Sequence, residues 1–147
     1  MGAYRKIVAA VDGSATSQKG LREALRLAKS EGARLHILHV VNEYPAFVGV
    51  EGAPPVDLVP VLRQGGERIL VKAKATAAKS GVPVTTALRE MIGGSVADAI
   101  VREARKIGAD VIVLGTHGRR GVRRLVLGSD AEHVVRTASV PVLLVRA

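Results

Sequence analysis

Apolar and polar positions along this chain fall into blocks that switch between two periods. Ile7-Val8-Ala9-Ala10-Val11 is an unbroken apolar run stopped by Asp12-Gly13, the mark of a strand buried on both faces. Ser14, Thr16 and Ser17 offer N-caps, and Leu21, Ala24, Leu25 and Ala28 recur at i, i+3, i+4, i+7 before Gly32. That pattern predicts an amphipathic helix with a glycine stop. Leu35 to Val41 is a second strand-like run, and Leu62, Ile69, Leu70 and Ala73 mark a helix over 59–79 that ends at Gly81. Pro83 to Leu88 reads as a third strand.

The second half repeats the alternation. Ser95 and Asp98 stand at capping-box spacing ahead of Ala99, Ile100, Ala104 and Ile107, and Gly108 closes that helix. Asp110 to Leu114 is a fourth strand, ending at Gly115. Ser129 and Glu132 repeat the capping-box spacing, which makes Ser129 the expected N-cap of a short helix running to about Ala138. Pro141 to Val145 is the fifth strand. Such alternation predicts an α/β fold with a mostly parallel five-stranded sheet. At 147 residues the chain fits one domain, 1–147. The interval 42–61 breaks the rhythm with Pro45, Pro54, Pro55 and Pro60. It is expected to be a mobile surface loop, either a lid or a plain spacer.

Ligands of open parallel sheets bind beyond the carboxyl ends of the strands, where strand order reverses. Two strand ends carry suitable residues: Asp12-Gly13-Ser14, and Gly115-Thr116-His117-Gly118 running on to Gly128-Ser129. Glycines let backbone amides approach a phosphate, and a helix N-terminus adds unpaired N–H groups with a favourable dipole. Arg119, Arg120, Arg123 and Arg124 add positive charge between them. These features together describe a polyphosphate cradle. Neither G-x-x-x-x-G-K-[ST] nor G-x-G-x-x-G is present, so the cradle is not of either common type.

Charge and composition narrow the partners. The net charge is +9 and aromatics make up only 2% of the chain. Excess positive charge favours anions, but single-strand nucleic-acid binders usually stack bases on aromatic side chains. Tyr4, Tyr44 and Phe47 are the whole aromatic set, which argues against nucleic acid. Cysteine is absent, excluding disulfides, thiolate metal sites and cysteine nucleophiles. No apolar run approaches the roughly 18 residues of a membrane span, and the N-terminal apolar pentad is too short for a signal peptide. A cytoplasmic location is expected.

The spacing Gly115-x2-Gly118-x9-Gly128-Ser129 after an apolar strand resembles the ATP-binding motif of the universal stress protein family, G-x2-G-x9-G-[ST]. The likeness covers nearly the whole chain. Ile7 to Ser14, Leu38 to Val41, Gly94-Ser95, Ala109 to Gly118 and Pro141 to Val145 are similar to that family's landmarks, in order. The resemblance implies a Rossmann-like domain of strand order 3-2-1-4-5, helices on both faces, and a homodimer formed through the last strand. It implies that Asp12 and Val40 hold adenine and ribose. It assigns ribose and phosphates to Gly115, Gly118, Gly128 and Ser129, with Thr116, Arg119 and Asp130 beside them. Asp130 departs from the family, where a small apolar residue is common; turned inward, its carboxylate would repel a γ-phosphate. Whether ATP, ADP or AMP is preferred stays open, with Mg²⁺ riding on the phosphates.

The expected function is therefore an ATP-binding regulatory module of the stress response. No general base and no carboxylate pair for Mg²⁺ stand out beside the cradle, so turnover is expected to be slow or nil. The alternative is an interaction module that uses a basic face and no nucleotide, and a slow ATPase ranks third. Other residues have plainer readings. Asp12 also suits an Asp-Gly turn. His36 and His39, three apart on a strand, point to opposite faces and do not form a chelating pair. Ser129, Asp130 and His133 lack the nucleophile elbow and the geometry of a hydrolase triad. His117, in the glycine loop, is a candidate phosphate contact when protonated.

Overall fold

The five strands expected from the sequence become the five strands of one parallel sheet. The computed structural model describes residues 2–43, 47–48, 51–54, 56–117 and 127–147, with 47 and 48 described by their backbone alone. In chain order the elements are β1 (Lys6–Ala10), α1 (Ala15–Glu31), β2 (Arg34–Asn42), β3 (Phe47–Val48), β4 (Val56–Asp57), α2 (Val59–Ala78), β5 (Val84–Met91), α3 (Val96–Ile107), β6 (Val111–Gly115), α4 (Ser129–Thr137) and β7 (Val142–Val145). The sheet runs β5-β2-β1-β6-β7. With the short β3–β4 pair set aside, this is the order 3-2-1-4-5.

Strand parity sorts the core into two layers. Ile7, Ala9, Leu35, Ile37, Val111 and Val113 face α1 and α2, packing on Leu21, Leu25, Leu70 and Ala73. Val8, Leu38, Ile112 and Leu114 face α3 and α4, packing on Ile100, Ala104, Ala131 and Val134. Ile7, Val8, Ile37 and Leu38 are fully buried, so β1 and β2 are covered on both sides, as their continuous apolar runs require. Helices α1 and α3 carry side-chain caps: Ser14 Oγ accepts from the Ser17 amide at 3.1 Å, and Ser95 Oγ from the Asp98 amide at 3.1 Å. Both end on a left-handed glycine, Gly32 and Gly108.

Three expectations need correction. The interval 42–61 is not one irregular loop. Asn42 ends β2, Phe47-Val48 pairs antiparallel with Val56-Asp57, and α2 starts at Val59. Pro60 sits in the first turn of α2, where a missing N–H costs nothing, and Asp57 Oδ1 accepts from the Val59 amide at 2.9 Å. Pro45 and Pro55 lie outside the described residues. The third strand runs to Met91 rather than Leu88, because all eight of its residues pair with β2. The N-cap of α4 is Gly128, not Ser129. Ser129 is the first helical residue and Asp130 the second, and the N-cap glycine has no side chain with which to cap that helix.

Candidate functional site

The crevice predicted by the topology lies between the carboxyl ends of β1 and β6. From β1 the chain crosses by α1 on one face to β2, and β6 is reached by α3 on the other face. The strand order reverses there, which leaves an opening above the sheet.

Asp12 and Ser14 form one side. Asp12 Oδ1 accepts from the Ser14 amide at 2.9 Å, and the Asp12 amide donates to the buried Ser17 Oγ at 3.0 Å. The aspartate thus closes the turn into α1, the plainer of its two expected roles. Val11 is tied down from both sides: its amide donates to Leu38 at 2.8 Å, and its carbonyl accepts from His39 Nδ1 at 2.7 Å. His39 is buried and packs over Gly66 of α2, while His36 turns to the α3 face and meets Glu103. The two rings occupy opposite faces, as their spacing predicts.

The other side is built from β6 and α4. Gly115 packs against the first turn of α1: a Cβ there would stand 2.9 Å from Thr16 Cγ2 and 3.0 Å from the Thr16 carbonyl oxygen. Gly20 meets the same segment, its missing Cβ 3.2 Å from the Gly115 amide nitrogen. The Thr116 amide donates to Val145 at 2.9 Å, and its carbonyl accepts from the Gly128 amide at 2.7 Å. A Cβ on Gly128 would lie 2.9 Å from that carbonyl oxygen. Both glycines therefore have a packing reason that the sequence did not disclose. Thr116 Oγ1 and His117 Nδ1 are 2.9 Å apart. Ser129 and Asp130 are exposed at the start of α4.

The structure thus brings Thr16, Gly115, Thr116 and Gly128 together, and places the N-terminal turns of α1 and α4 at the same end of the sheet. Val40 stands on β2 among the residues of the α3 layer, paired in register with Arg89. Gly118 and Arg119 lie outside the described residues, as do Arg120, Arg123 and Arg124.

Two clusters near this end were not anticipated. His133 turns toward α3. Its Nδ1 lies 3.2 Å from Ser95 Oγ and its Nε2 3.3 Å from Asp98 Oδ1. That geometry disposes of the Ser129–His133 hydrolase reading. The Ser95 hydroxyl, above all, holds the Asp98 carboxyl below the usual range, assisted by the Ser95 amide and His133. The second cluster joins β2, β5 and α2. Glu43 is buried, and burial foremost, then Glu90, pushes its carboxyl up. Glu90 pairs with Arg63, whose hydrogen bond pulls the Glu90 carboxyl down. The spacing of Ser95 and Asp98 announced the first cluster in part; nothing local announced the second.

Residues 3–146 match the universal stress protein family. A universal stress protein of Methanocaldococcus jannaschii is 39% identical over 144 residues, covering 97% of this chain and 82% of that protein. The crystal structure of a protein from the universal stress protein family from Burkholderia pseudomallei superposes with a TM-score of 0.80 at 36% identity, covering 100% of both chains. A universal stress protein crystallised in complex with cAMP superposes with a TM-score of 0.71 at 25% identity, covering 99% of this chain and 98% of that one. No helix among the described residues is long and apolar enough to cross a membrane. On the strength of the match over nearly its full length, this chain belongs to the universal stress protein family.

Proposed function

We propose that the chain binds an adenine nucleotide, ATP, ADP or AMP, in the crevice between β1 and β6, and acts as a cytoplasmic regulatory module with little or no turnover. One observation carries the reading. The N-terminal turns of α1 and α4 are held at the carboxyl end of the sheet, beside its switch point, by the Gly115–Thr16 contact and the Gly128–Thr116 hydrogen bond. The amides and dipole of a helix start at such a place suit phosphate. The related protein crystallised with cAMP supports the adenylate class of ligand.

In this reading Asp12 and Val40 take adenine and ribose. Gly115, Thr116, Gly118, Arg119, Gly128, Ser129 and Asp130 take ribose and phosphates, with any Mg²⁺ on the phosphates. The edge of β7, where Leu143 is 37% exposed, supports a homodimer through that strand. Equilibrium binding to nucleotide-stripped protein tests the proposal. ATP, ADP or AMP is expected to bind, and Gly118→Val and Asp12→Ala to weaken binding at least about tenfold. Unchanged affinity in both variants defeats the site assignment.

A second reading rests on a different feature. Lys19, Arg22, Arg26 and Lys29 form one exposed stripe along α1, and Arg68 and Lys72 are exposed on α2, which covers the same face. An acidic macromolecular partner there would bind with a steep inverse dependence on salt and no need of the glycines.

A further inference from the structure

We infer that His133 is a positioning residue for the phosphate end of the proposed nucleotide site, fastening the first turns of α4 to the capping box of α3. The inference rests on the adenine-nucleotide reading above and deepens it by naming what holds the Ser129 and Asp130 amides in place.

Helix α4 has only nine residues, and an isolated helix of that length is marginal in water. Its N-cap is Gly128, which offers no side chain, so the usual means of fixing a helix start is missing. Two buried side chains, Ala131 and Val134, seat the helix on the sheet. Apolar seating is non-directional, and the Gly128–Thr116 hydrogen bond ties the cap to the end of β6 and not to α3. His133 supplies a directional restraint. It stands one turn beyond Ser129 on the same side of the helix, and both of its ring nitrogens meet α3.

The hydrogen positions follow from the partners. Asp98 is ionised and only accepts, so Nε2 carries the hydrogen that it receives. Ser95 Oγ, which accepts from the Asp98 amide, stands within hydrogen-bond reach of Nδ1 and completes the two-point contact. The partner is itself rigid. Ser95 and Asp98 are locked in a reciprocal capping box, the Ser95 amide donating to Asp98 Oδ2 at 3.4 Å. The imidazole therefore ties one helix start to another that is already fixed. Glu132 spans to Arg136 on α4 itself at 2.5 Å and adds no tie between the helices.

A positioning role makes a prediction that general destabilisation does not. The loss on His133→Ala should grow with the number of phosphates, because the amides at a helix start favour phosphate above the other parts of the ligand. Binding of adenosine, AMP, ADP and ATP is measured on nucleotide-stripped wild type, His133→Ala, His133→Gln and Asp98→Asn, each checked for a folded far-UV spectrum. Expected is ATP binding about tenfold weaker in His133→Ala, adenosine binding within about twofold, and recovery in His133→Gln, whose amide keeps a donor for Asp98. Asp98→Asn on top of His133→Ala should add little, since the pair acts as one unit. Wild-type ATP affinity in His133→Ala overturns the inference and leaves the nucleotide reading standing. Equal losses for all four ligands without rescue by glutamine overturn it as well. A wild-type protein that binds none of the four overturns both.

Discussion

Gly115 and Thr16 are in direct contact: the place of a Cβ on the glycine lies 3.0 Å from the threonine's carbonyl oxygen and 2.9 Å from its methyl group. The end of β6 and the first turn of α1 therefore meet backbone to backbone. The glycine makes the close approach possible.

Gly115→Ala is expected to destabilise the protein by about 1–3 kcal/mol, as overpacking of a well-fitted contact does. The nearer obstruction is a methyl group, but the carbonyl is backbone, so α1 has to shift. Thr16→Ser in the same background removes the methyl and should restore only part of the loss. Urea denaturation measures both. A Gly115→Ala variant within about 0.5 kcal/mol of wild type would show that α1 yields freely.

Glu103 is the anchor of the α3 layer. It is 4% exposed, and its carboxylate receives Arg89 Nε at 2.9 Å, Arg89 Nη2 at 3.0 Å and His36 Nε2 at 3.1 Å. The Arg89 hydrogen bond, foremost, holds its carboxyl below the ordinary 4.5. A carboxyl depressed in the folded state contributes stability that is complete above the unfolded value and is lost as pH falls through the folded one. Glu103→Gln should therefore cost about 2 kcal/mol at neutral pH, Arg89 being part-exposed. The gap to wild type should close as pH drops well below 4.5. Thermal melts from pH about 7 to about 2 follow it; a gap that stays constant over that range would sink the assignment.

Gly108 tests the backbone alone. Its φ is +67° and a Cβ there would meet nothing within 4 Å. Gly108→Ala should cost about 1 kcal/mol from the left-handed conformation, with no change in the proposed nucleotide binding at the far end of the sheet. A neutral result in chemical denaturation would mean that the cap relaxes without cost.

Much of this is legible in the order of residues along the chain. Ile7 to Val11 and Val111 to Leu114 are apolar at every position, and only a strand covered on both faces needs that. Ser14, Ser95, Gly32 and Gly108 announced helix ends because capping is local chemistry, settled within four residues. Ser129 misled for the same reason. Its spacing to Glu132 fits a capping box, but the Gly128 amide bonds to the Thr116 carbonyl and moves the helix start back by one residue. That bond spans twelve positions. The partners of His133 lie 35 and 38 positions away, and Glu43 meets Glu90 across 47. Such pairs exist only because the sheet order places their elements side by side. The glycines of the motif carried a second, hidden meaning, since Gly115 and Gly128 also fit contacts made within the protein itself.

Glu43 predicts a pH response of the opposite sign to Glu103. Its side chain is buried at the end of β2, and burial first, then the hydrogen bond and charge of Glu90, with Asp57 adding and Arg63 opposing, raise its carboxyl above 4.5. Glu90 is held low by Arg63, so a proton shared by the pair belongs on Glu43, whose O–H would donate to the Glu90 carboxylate. A folded state that keeps this proton more tightly than the unfolded chain draws stability from it below the unfolded value. That contribution fades as pH rises through the raised folded value. Glu43→Gln carries a permanent donor to Glu90 and no charge, so it should melt with wild type at pH about 4 and above it at pH about 8. Glu90→Gln keeps an acceptor oxygen but removes the charge that pairs with Arg63, and should lower the melting temperature at both. A Glu43→Gln variant that loses stability toward alkaline pH as wild type does would show that the carboxyl pair shares no proton.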